Sequence, residues 1–261
     1  MTTMLYDTHT HADYSCDAEM TLPQAIERAK ALNIGLILTE HWDRYYPTNP
    51  EMFLFDIDDY FRKNTPYRTE QILLGIEVGL QPQAIEEDRK MTAAHPFDEV
   101  VGSMHCFLGK DMYEPSTYEG MTKEQAVRDY LEDSVRCLEL HPDFDSYGHL
   151  DYICRYMPYP DPNLYYKDNP ELWDKVFTLL IEQDKALEIN TRRLGNPQVI
   201  PPLQELYNRF AQLGGRYATL GSDAHYPEHV GRDLAVGKAI ADAAGLQLVY
   251  YKERKRQLCQ E

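Results

Sequence analysis

Histidine and acidic side chains recur along this chain just after short apolar runs. His9 and His11 stand two residues apart, and residues i and i+2 of an extended segment point to the same side, so these imidazoles can bind one ion. Asp17 follows in the same loop. Nearly every other apolar run also ends in or is followed by a histidine or an acid, namely His41, Glu77, His105, His149, Asp151, Asp223 and His225. Imidazole and carboxylate ligands suit zinc, iron or manganese, so the pattern predicts metal-assisted hydrolysis.

Seven short apolar runs precede these side chains, and we predict that each is a strand. Runs this short and continuous are typical of strands buried on both faces of a parallel sheet. The fifth run is the weakest. The runs are Met4–Thr8, Gly35–Thr39, Ile72–Ile76, Val100–Met104, Ser146–His149, Ala186–Ile189 and Tyr217–Leu220.

Helical patterns separate many of these strands. Predicted helices cover Thr21–Asn33, Thr122–Leu140, a segment that starts at Asn169-Pro170, Pro202–Leu213 and Val230–Ala244. Thr122 and Gln125 form a candidate capping box. Alternating strands and helices indicate a parallel α/β sheet in one domain that spans residues 1–261. Seven strands favour a barrel-like closure, and an open doubly wound sheet is the alternative. In a barrel, the carboxyl ends of the strands converge on one site.

Two long segments depart from the repeat. Trp42–Gln71 and Lys110–Met121 are polar, rich in aromatic residues, and each follows a strand. Insertions at this end of a barrel shape the rim of the active site. Three other histidines, His95, His141 and His229, are interpreted as structural or surface residues, and Cys106 as core packing.

Charge and cysteine content exclude several classes of partner. The formal net charge is −17, from 26 basic and 43 acidic side chains, which argues against nucleic-acid and anionic-membrane partners. Bound cations can still invert the local field for an anionic substrate. The five cysteines are irregularly spaced, which argues against a disulfide framework. No apolar run approaches the roughly 20 residues that span a bilayer. We therefore expect a soluble, cytoplasmic protein of undetermined oligomeric state.

The ordered motifs resemble those of the polymerase and histidinol phosphatase (PHP) superfamily. They are H-x-H at 9–11 with Asp17, Thr-Glu-His41, Gly-x-Glu77, Ser-x-His105, Gly-His149-x-Asp and Ser-Asp223-x-His225. The run LEINT at 187–191, followed by GSDAH at 221–225, is similar to the histidinol-phosphatase branch. The similarity covers almost the whole chain. It implies a distorted (β/α)7 TIM-like barrel with a metal cluster at the carboxyl ends of the strands.

The resemblance also implies how about three divalent metals, zinc, iron or manganese, are shared. The first would be held by His9, His11, Glu77 and Asp223. Glu77 would bridge to the second, with His105 and His149, and the third would be held by Asp17, His41 and His225.

Arginines in two loops are the candidates for binding phosphate. Arg155 follows the fifth strand, and Arg192 and Arg193 follow the sixth. The family places arginines in both loops, and guanidinium groups bind phosphate bidentately. The paired Arg192-Arg193 departs from the branch pattern, so either could be the phosphate ligand. Asp151 and Glu40 are expected to orient ligand histidines. Asp151 could instead protonate the leaving group.

These features predict a metal-dependent phosphomonoesterase with a small phosphorylated substrate. The resemblance implies histidinol-phosphatase activity in histidine biosynthesis, with L-histidinol phosphate as the substrate. One alternative is a phosphatase of broader specificity that acts on sugar phosphates or nucleotides. Others are a polymerase-associated exonuclease, an amidohydrolase and a non-catalytic metal-binding module.

Overall fold

The computed structural model describes residues 4–259, so residues 1–3 and 260–261 of the predicted domain lie outside the described part. The strands are β1 (Tyr6–Thr10), β2 (Gly35–Trp42), β3 (Ile72–Gly79), β4 (Val100–Ser103), β5 (Cys106–Phe107), β6 (Lys110–Asp111), β7 (Ser146–Tyr147), β8 (Ala186–Asn190), β9 (Tyr217–Gly221), β10 (Gln247–Lys252) and β11 (Lys255–Leu258). The helices are α1 (Leu22–Leu32), α2 (Ile57–Asn64), α3 (Ile85–Ala94), α4 (Lys123–Leu140), α5 (Pro170–Glu182), α6 (Ile200–Gln212) and α7 (Leu234–Ala244).

The central sheet has the order β1-β2-β3-β4-β7-β8-β9-β10-β11. Its pairs are parallel except β10–β11, which is antiparallel. The seven predicted strands are present as β1, β2, β3, β4, β7, β8 and β9. The weak fifth strand is only two residues long. Apolar side chains on one face of these strands pack against the helices, as sequential βα units require.

The first and last of the seven predicted strands, β1 and β9, meet at their carboxyl ends. The backbone N–H of Asp223 donates to the carbonyl of His9 at 2.8 Å, and the N–H of His11 donates to that of Ala224 at 2.9 Å. Near the amino ends, Tyr250 of β10 stacks on Tyr6 of β1 with ring centroids 3.8 Å apart. This curled parallel sheet confirms the predicted α/β barrel. The barrel is distorted because β10 and β11 continue the sheet beyond β9.

The hairpin β10–β11 was not predicted. It lies beside the loops that enter the strands, where the N–H of Glu253 donates to Asp98 at 3.0 Å and the hydroxyl of Tyr251 to the carbonyl of Asp145 at 3.1 Å. Its turn, Glu253-Arg254, has φ values of 52° and 60°. Tight hairpin turns of this kind usually carry Asn or Gly, so the sequence lacked the expected signal.

The helices follow the prediction, with two additions. α2 lies inside the segment predicted as rim insertion, and Asp56 caps it by accepting from the N–H of Asp59 at 3.0 Å. α3 is the other addition. Thr122 caps α4 through the N–H of Gln125 at 3.2 Å, but the Gln125 side chain binds Asp129 instead of completing the capping box. Among the described residues, no helix is long and apolar enough to cross a membrane.

Glu99 is buried just before β4, and among residues 4–259 it has no cationic partner. The side chain of Glu99 is fully buried and accepts from the hydroxyl of Ser146 at 2.6 Å. Burial raises the pKa of Glu99 well above its usual value, although the Ser146 hydrogen bond lowers it. The folded protein holds the proton of Glu99 more tightly than the unfolded chain does. The resulting contribution to the free energy of unfolding is fully present below the unfolded pKa. It is lost as the pH rises through the folded pKa.

Replacing Glu99 with Gln should remove this pH dependence. We expect the free energy of unfolding of Glu99→Gln, relative to that of the parent, to rise between pH 5 and pH 8. The rise should be about 1.4 kcal/mol for each pH unit in this interval that lies below the folded pKa of Glu99. Urea unfolding of both proteins at the two pH values, at one metal concentration, measures it. A difference that stays constant with pH would contradict a protonated Glu99.

Candidate metal centre

Glu77, at the end of β3, lies at the centre of a buried histidine cluster. Its Oε1 atom is 3.1 Å from His9 Nε2, 3.2 Å from His105 Nε2 and 2.8 Å from His149 Nε2. These residues lie on or just after β1, β4 and β7, and all are buried. The parallel register brings them together because the carboxyl ends of neighbouring strands end at the same edge.

The other oxygen of Glu77 faces two further histidines. Glu77 Oε2 is 2.7 Å from His41 Nδ1 and 3.6 Å from His11 Nε2. His11 Nε2 is also 3.4 Å from Asp223 Oδ1. Asp223 has a left-handed backbone, with φ of 53°. A non-glycine residue in that region is uncommon and concentrates at functional sites.

Asp17, His41 and His225 form a third group of candidate ligands at the outer side of the cluster. Asp17 Oδ2 is 3.2 Å from His225 Nε2 and 3.6 Å from His41 Nε2. The two histidine nitrogens are 3.4 Å apart. The structure therefore brings together all nine side chains that the sequence proposed as metal ligands.

Two carboxylates outside the predicted ligand set fix the orientation of two histidines in the cluster. Glu188 accepts from His9 Nδ1 at 2.6 Å, and Asp43 accepts from His105 Nδ1 at 2.8 Å. These contacts hold each ring so that its Nε2 atom faces Glu77. Sequence reasoning missed both roles. Asp43 stands two residues after His41, so the same i, i+2 spacing could have identified it.

Glycines make room for these two carboxylates. A Cβ atom on Gly79 would lie 1.8 Å from Asp43 Oδ1, and one on Gly221 would lie 2.1 Å from Glu188 Oε1. Neither position can carry a side chain without displacing a carboxylate that holds a histidine.

Glu40 acts on the cluster indirectly. It accepts from the hydroxyl of Ser15 at 2.5 Å and from the N–H of Ala12 at 3.0 Å. The Ser15 oxygen is in turn 3.2 Å from His11 Nδ1. The predicted orienting role of Glu40 is therefore routed through Ser15, a residue that the sequence analysis did not single out.

The donor atoms of the cluster fit metal ions. Within residues 4–259, several buried nitrogen and oxygen atoms that face the cluster make no hydrogen bond of good geometry, although other polar atoms of the cluster lie close to them; they include His9 Nε2, His11 Nε2 and Glu77 Oε2. Leaving such atoms unpaired in the interior is costly. Four overlapping sets of three residues bring their donor atoms within 4.8 Å of one another. Divalent cations satisfy nitrogen and carboxylate donors in this arrangement.

Neighbouring positive charge keeps the central carboxylates ionised. Burial raises the pKa of Glu77, but His9 and His105 outweigh burial, so this pKa lies well below its usual range. Burial likewise raises the pKa of Asp223, and Arg155 more than offsets it, again giving a low pKa. Both side chains are thus in the form that binds cations.

Two of the three candidate arginines face Asp223. Arg155 Nη1 is 2.6 Å from Asp223 Oδ2, and Arg155 Nη2 donates to Asn190 at 3.1 Å. Arg192 Nη1 is 3.3 Å from Asp223 Oδ1 and 3.5 Å from His225 Nδ1. The side chain of Arg192 is 34% exposed, so its guanidinium lies between the cluster and solvent.

Arg193 points to a different partner. Its Nη1 is 2.6 Å from Asp151 Oδ2, its Nη2 donates to Asn163 at 3.0 Å, and its side chain is only 15% exposed. The expectation that Asp151 orients a ligand histidine therefore needs correction, since this carboxylate pairs with a guanidinium instead. The adjacent arginines diverge, so the structure distinguishes two candidates that the sequence left equivalent.

The remaining histidines lie apart from the cluster. His141 is buried with its Nε2 atom 3.5 Å from Asp88 Oδ2, and His95 Nδ1 lies 3.0 Å from the carbonyl of Met91. His229 lies in a short 3-10 turn before α7. Cys106 is buried, as expected for core packing.

Comparisons with known proteins agree with this geometry. The model of the PHP domain family matches residues 7–192. A probable histidinol-phosphatase of Clostridium acetobutylicum is 36% identical over 96% of this chain and 98% of its own length. The histidinol-phosphatase of Lactococcus lactis subsp. lactis is 30% identical, over 92% of this chain and 91% of its own. A crystal structure of histidinol phosphate phosphatase from the same bacterium, complexed with zinc, L-histidinol and phosphate, matches with a TM-score of 0.91 and 28% identity. It covers 97% of this chain and 98% of the other.

Proposed function

Because the chain belongs to the PHP domain family, we propose that it is a metal-dependent phosphomonoesterase that hydrolyses L-histidinol phosphate to L-histidinol and phosphate. The observation that carries this proposal is the position of Asp223, which faces the histidine cluster on one side and two arginines on the other. A phosphoryl group placed there would meet metal ligands and guanidinium donors together. That combination is what phosphoryl transfer requires.

The cluster would hold about three divalent ions, zinc, iron or manganese. His9, His11, Glu77 and Asp223 would hold the first, and Glu77 with His105 and His149 the second. The third would be held by Asp17, His41 and His225. When bound, such ions act as Lewis acids that activate water and neutralise phosphoryl charge.

The side chains of the protein supply binding and orientation. Arg155 and Arg192 would bind the phosphoryl oxygens, since guanidinium groups match phosphate geometry bidentately. Arg193 would position Asp151 at the rim. Asp151 remains our candidate for delivering a proton to the leaving oxygen, and that role stays a prediction.

The pair Asp43 and Gly79 provides a test of ligand positioning. We expect Asp43→Asn and Gly79→Ala each to weaken metal binding about 10- to 100-fold, since loss of an orienting carboxylate has that effect. The expected loss concerns the ion held through His105. Metal stoichiometry after graded dialysis, with parent protein in parallel, measures it. Asp88→Asn is the control, because Asp88 is equally buried but hydrogen-bonds Trp42. Three ions retained in both variants would rule out the positioning role.

The function itself is tested by phosphate release with metal content measured on the same sample. We expect a strong preference for L-histidinol phosphate over a panel of sugar phosphates and nucleotides, at about three ions per chain. Broad, weak hydrolysis of the whole panel would instead support a phosphatase of broader specificity. An inactive but fully metallated protein would support the non-catalytic alternative. A cytoplasmic location and the absence of a nucleic-acid partner stay predictions from composition.

A further inference from the structure

Asp7, on β1, is a fully buried carboxylate at the place where β1 and β9 meet. Its Oδ1 atom accepts from the backbone N–H of Ser222 at 2.8 Å. Its Oδ2 atom accepts from the hydroxyl of Ser222 at 2.6 Å and from the N–H of Gly231 at 2.7 Å. Both oxygens are thus bonded to the segment that follows β9, at residues 215 and 224 positions later in the chain.

The contacts of Asp7 with Ser222 lead to Asp223, a proposed metal ligand. Asp223 has a φ of 53°, and a non-glycine residue keeps this left-handed conformation only where its surroundings fix it. The N–H of Asp223 donates to the carbonyl of His9 at 2.8 Å, which fixes one peptide group. Asp7 fixes the preceding residue, because it holds Ser222 at both the N–H and the hydroxyl. Asp7 therefore helps to set the direction in which the Asp223 carboxylate points.

The contact of Asp7 with Gly231 leads to Arg192, a proposed phosphate ligand. Gly231 has a φ of 73°, in the left-handed region that favours glycine. The next residue is Arg232, whose carbonyl accepts from the hydroxyl of Thr191 at 2.6 Å and whose Nη2 atom donates to the carbonyl of Arg192 at 3.3 Å. The backbone that carries Arg192 is therefore held by the residue that follows Gly231.

The two paths end at one place. Arg192 Nη1 lies 3.3 Å from Asp223 Oδ1. In the proposed site, Asp223 binds an ion and Arg192 binds a phosphoryl oxygen, so their separation decides whether both can reach one phosphate group. Misplacing a binding group by about 1 Å can cost about 100-fold in rate. One carboxylate, that of Asp7, is connected to both groups.

Only a carboxylate satisfies the donors that face Asp7. An ionised carboxylate accepts at both oxygens, whereas an amide replaces one oxygen with an NH2 donor. In Asp7→Asn, that NH2 group would face the N–H of Ser222 in one orientation and the N–H of Gly231 in the other. Either orientation leaves a buried N–H without its acceptor, which is costly in the interior.

We propose that Asp7 is a positioning residue that acts through Ser222 and Gly231. It sets the Asp223 carboxylate and the Arg192 guanidinium at the separation that one phosphate group requires. This inference rests on the proposed roles of Asp223 and Arg192. Asp7 itself is neither a metal ligand nor a substrate ligand.

Metal binding tests the path to Asp223. Asp7→Asn should weaken the binding of one ion per chain about 10- to 100-fold, because a contact that orients a ligand is lost. Metal stoichiometry after graded dialysis measures this loss without any substrate. Ser222→Ala removes only the hydroxyl and keeps the other two hydrogen bonds, so the same loss should be smaller, about 3- to 10-fold. Unchanged ion binding in both variants would overturn the proposed action on Asp223.

The Michaelis constant in two backgrounds tests the path to Arg192. At saturating metal, Asp7→Asn should raise KM for L-histidinol phosphate about 10-fold in the parent protein. In the Arg192→Ala background, the same substitution should change KM by less than about twofold, since the group that Asp7 positions is already gone. An equal rise in both backgrounds, or no rise in the parent, would overturn the proposed action on Arg192.

Asp98→Asn is the matched control. Asp98 is also fully buried and accepts from the backbone N–H groups of Leu74 at 2.9 Å and Glu253 at 3.0 Å, but it lies at the amino ends of the strands. Asp98→Asn should lower the free energy of unfolding, measured with urea, while ion binding and KM stay at the parent values. If it changes ion binding and KM as much as Asp7→Asn does, Asp7 acts only on stability and the positioning role is wrong.

The inference and the proposed function fail in different ways. If the parent protein does not hydrolyse L-histidinol phosphate, the proposed physiological activity is wrong. Ion binding needs no substrate, so it still decides whether Asp7 positions Asp223. If Asp7→Asn does not fold, Ser222→Ala takes its place in both measurements.

Discussion

Glu77→Gln should lower kcat/KM by about 10³-fold or more and release metal. The two oxygens of Glu77 face five histidines, at distances between 2.7 and 3.6 Å. Glutamine keeps the size but loses the charge and one acceptor oxygen, so both ions that we propose Glu77 to bind would lose a ligand together. Removing one electrostatic element from a preorganised site costs about 10² to 10³ in turnover, and the proposed role of Glu77 concerns two ions. Steady-state kinetics with metal analysis on the same sample measures both effects.

A matched control separates this effect from general destabilisation. Asp88 is another buried carboxylate, and it hydrogen-bonds Trp42 Nε1 at 3.1 Å. Asp88→Asn should leave the ratio of activity to bound metal at the parent value. Normal activity and normal metal content in Glu77→Gln would contradict the proposal that Glu77 is a ligand shared by two ions.

Arg155→Ala is expected to have the second largest effect. We expect kcat/KM to fall by about 10² to 10³, with KM raised, because truncating one partner of a buried charge pair costs several kcal/mol. Arg155 Nη1 lies 2.6 Å from Asp223 Oδ2, so its removal would take the nearest cation from that carboxylate and, in the proposed site, a donor from the phosphate. Burial lowers the pKa of Arg155, but Asp223 and Asp151 raise it above the usual value, so this side chain stays charged at every working pH.

Two further variants decide which property of Arg155 matters. Arg155→Lys keeps the charge but not the planar fork, so intermediate activity would show that bidentate geometry contributes. Arg193→Ala should lower kcat/KM much less, because Arg193 contacts Asp151 and Asn163. An unchanged KM in Arg155→Ala would remove Arg155 from the phosphate site.

The arginines of the candidate site lie in a strongly acidic protein. With a net charge of −17, the protein as a whole repels a phosphate ester at long range. In the proposed site, a local inversion of charge by the ions and by Arg155 and Arg192 would attract the substrate. We accordingly expect binding of the phosphorylated substrate to depend on metal occupancy.

The sequence by itself predicted the scaffold and the nine candidate metal ligands, which the structure brings together. Continuous apolar runs predicted the seven parallel strands, because a strand buried on both faces has no room for polar alternation. A histidine or acid at the end of nearly every run predicted the cluster, because parallel strands end at one edge of a barrel. Both inferences depend only on local pattern and on a general property of the fold, so no knowledge of side-chain packing was needed.

The tertiary structure alone decided which neighbouring side chains act together. The sequence could not separate Arg192 from Arg193, because their directions depend on contacts with Asp223 and Asp151, which are distant in sequence. The contacts of Glu188 with His9 and of Asp43 with His105 likewise join residues 179 and 62 positions apart. The hairpin β10–β11 was missed because its turn lacks the usual Asn-Gly signal. Such pairings are set by how strands and loops pack against each other, so the spacing of residues can mark a candidate such as Asp43 but cannot identify the distant side chain that it contacts.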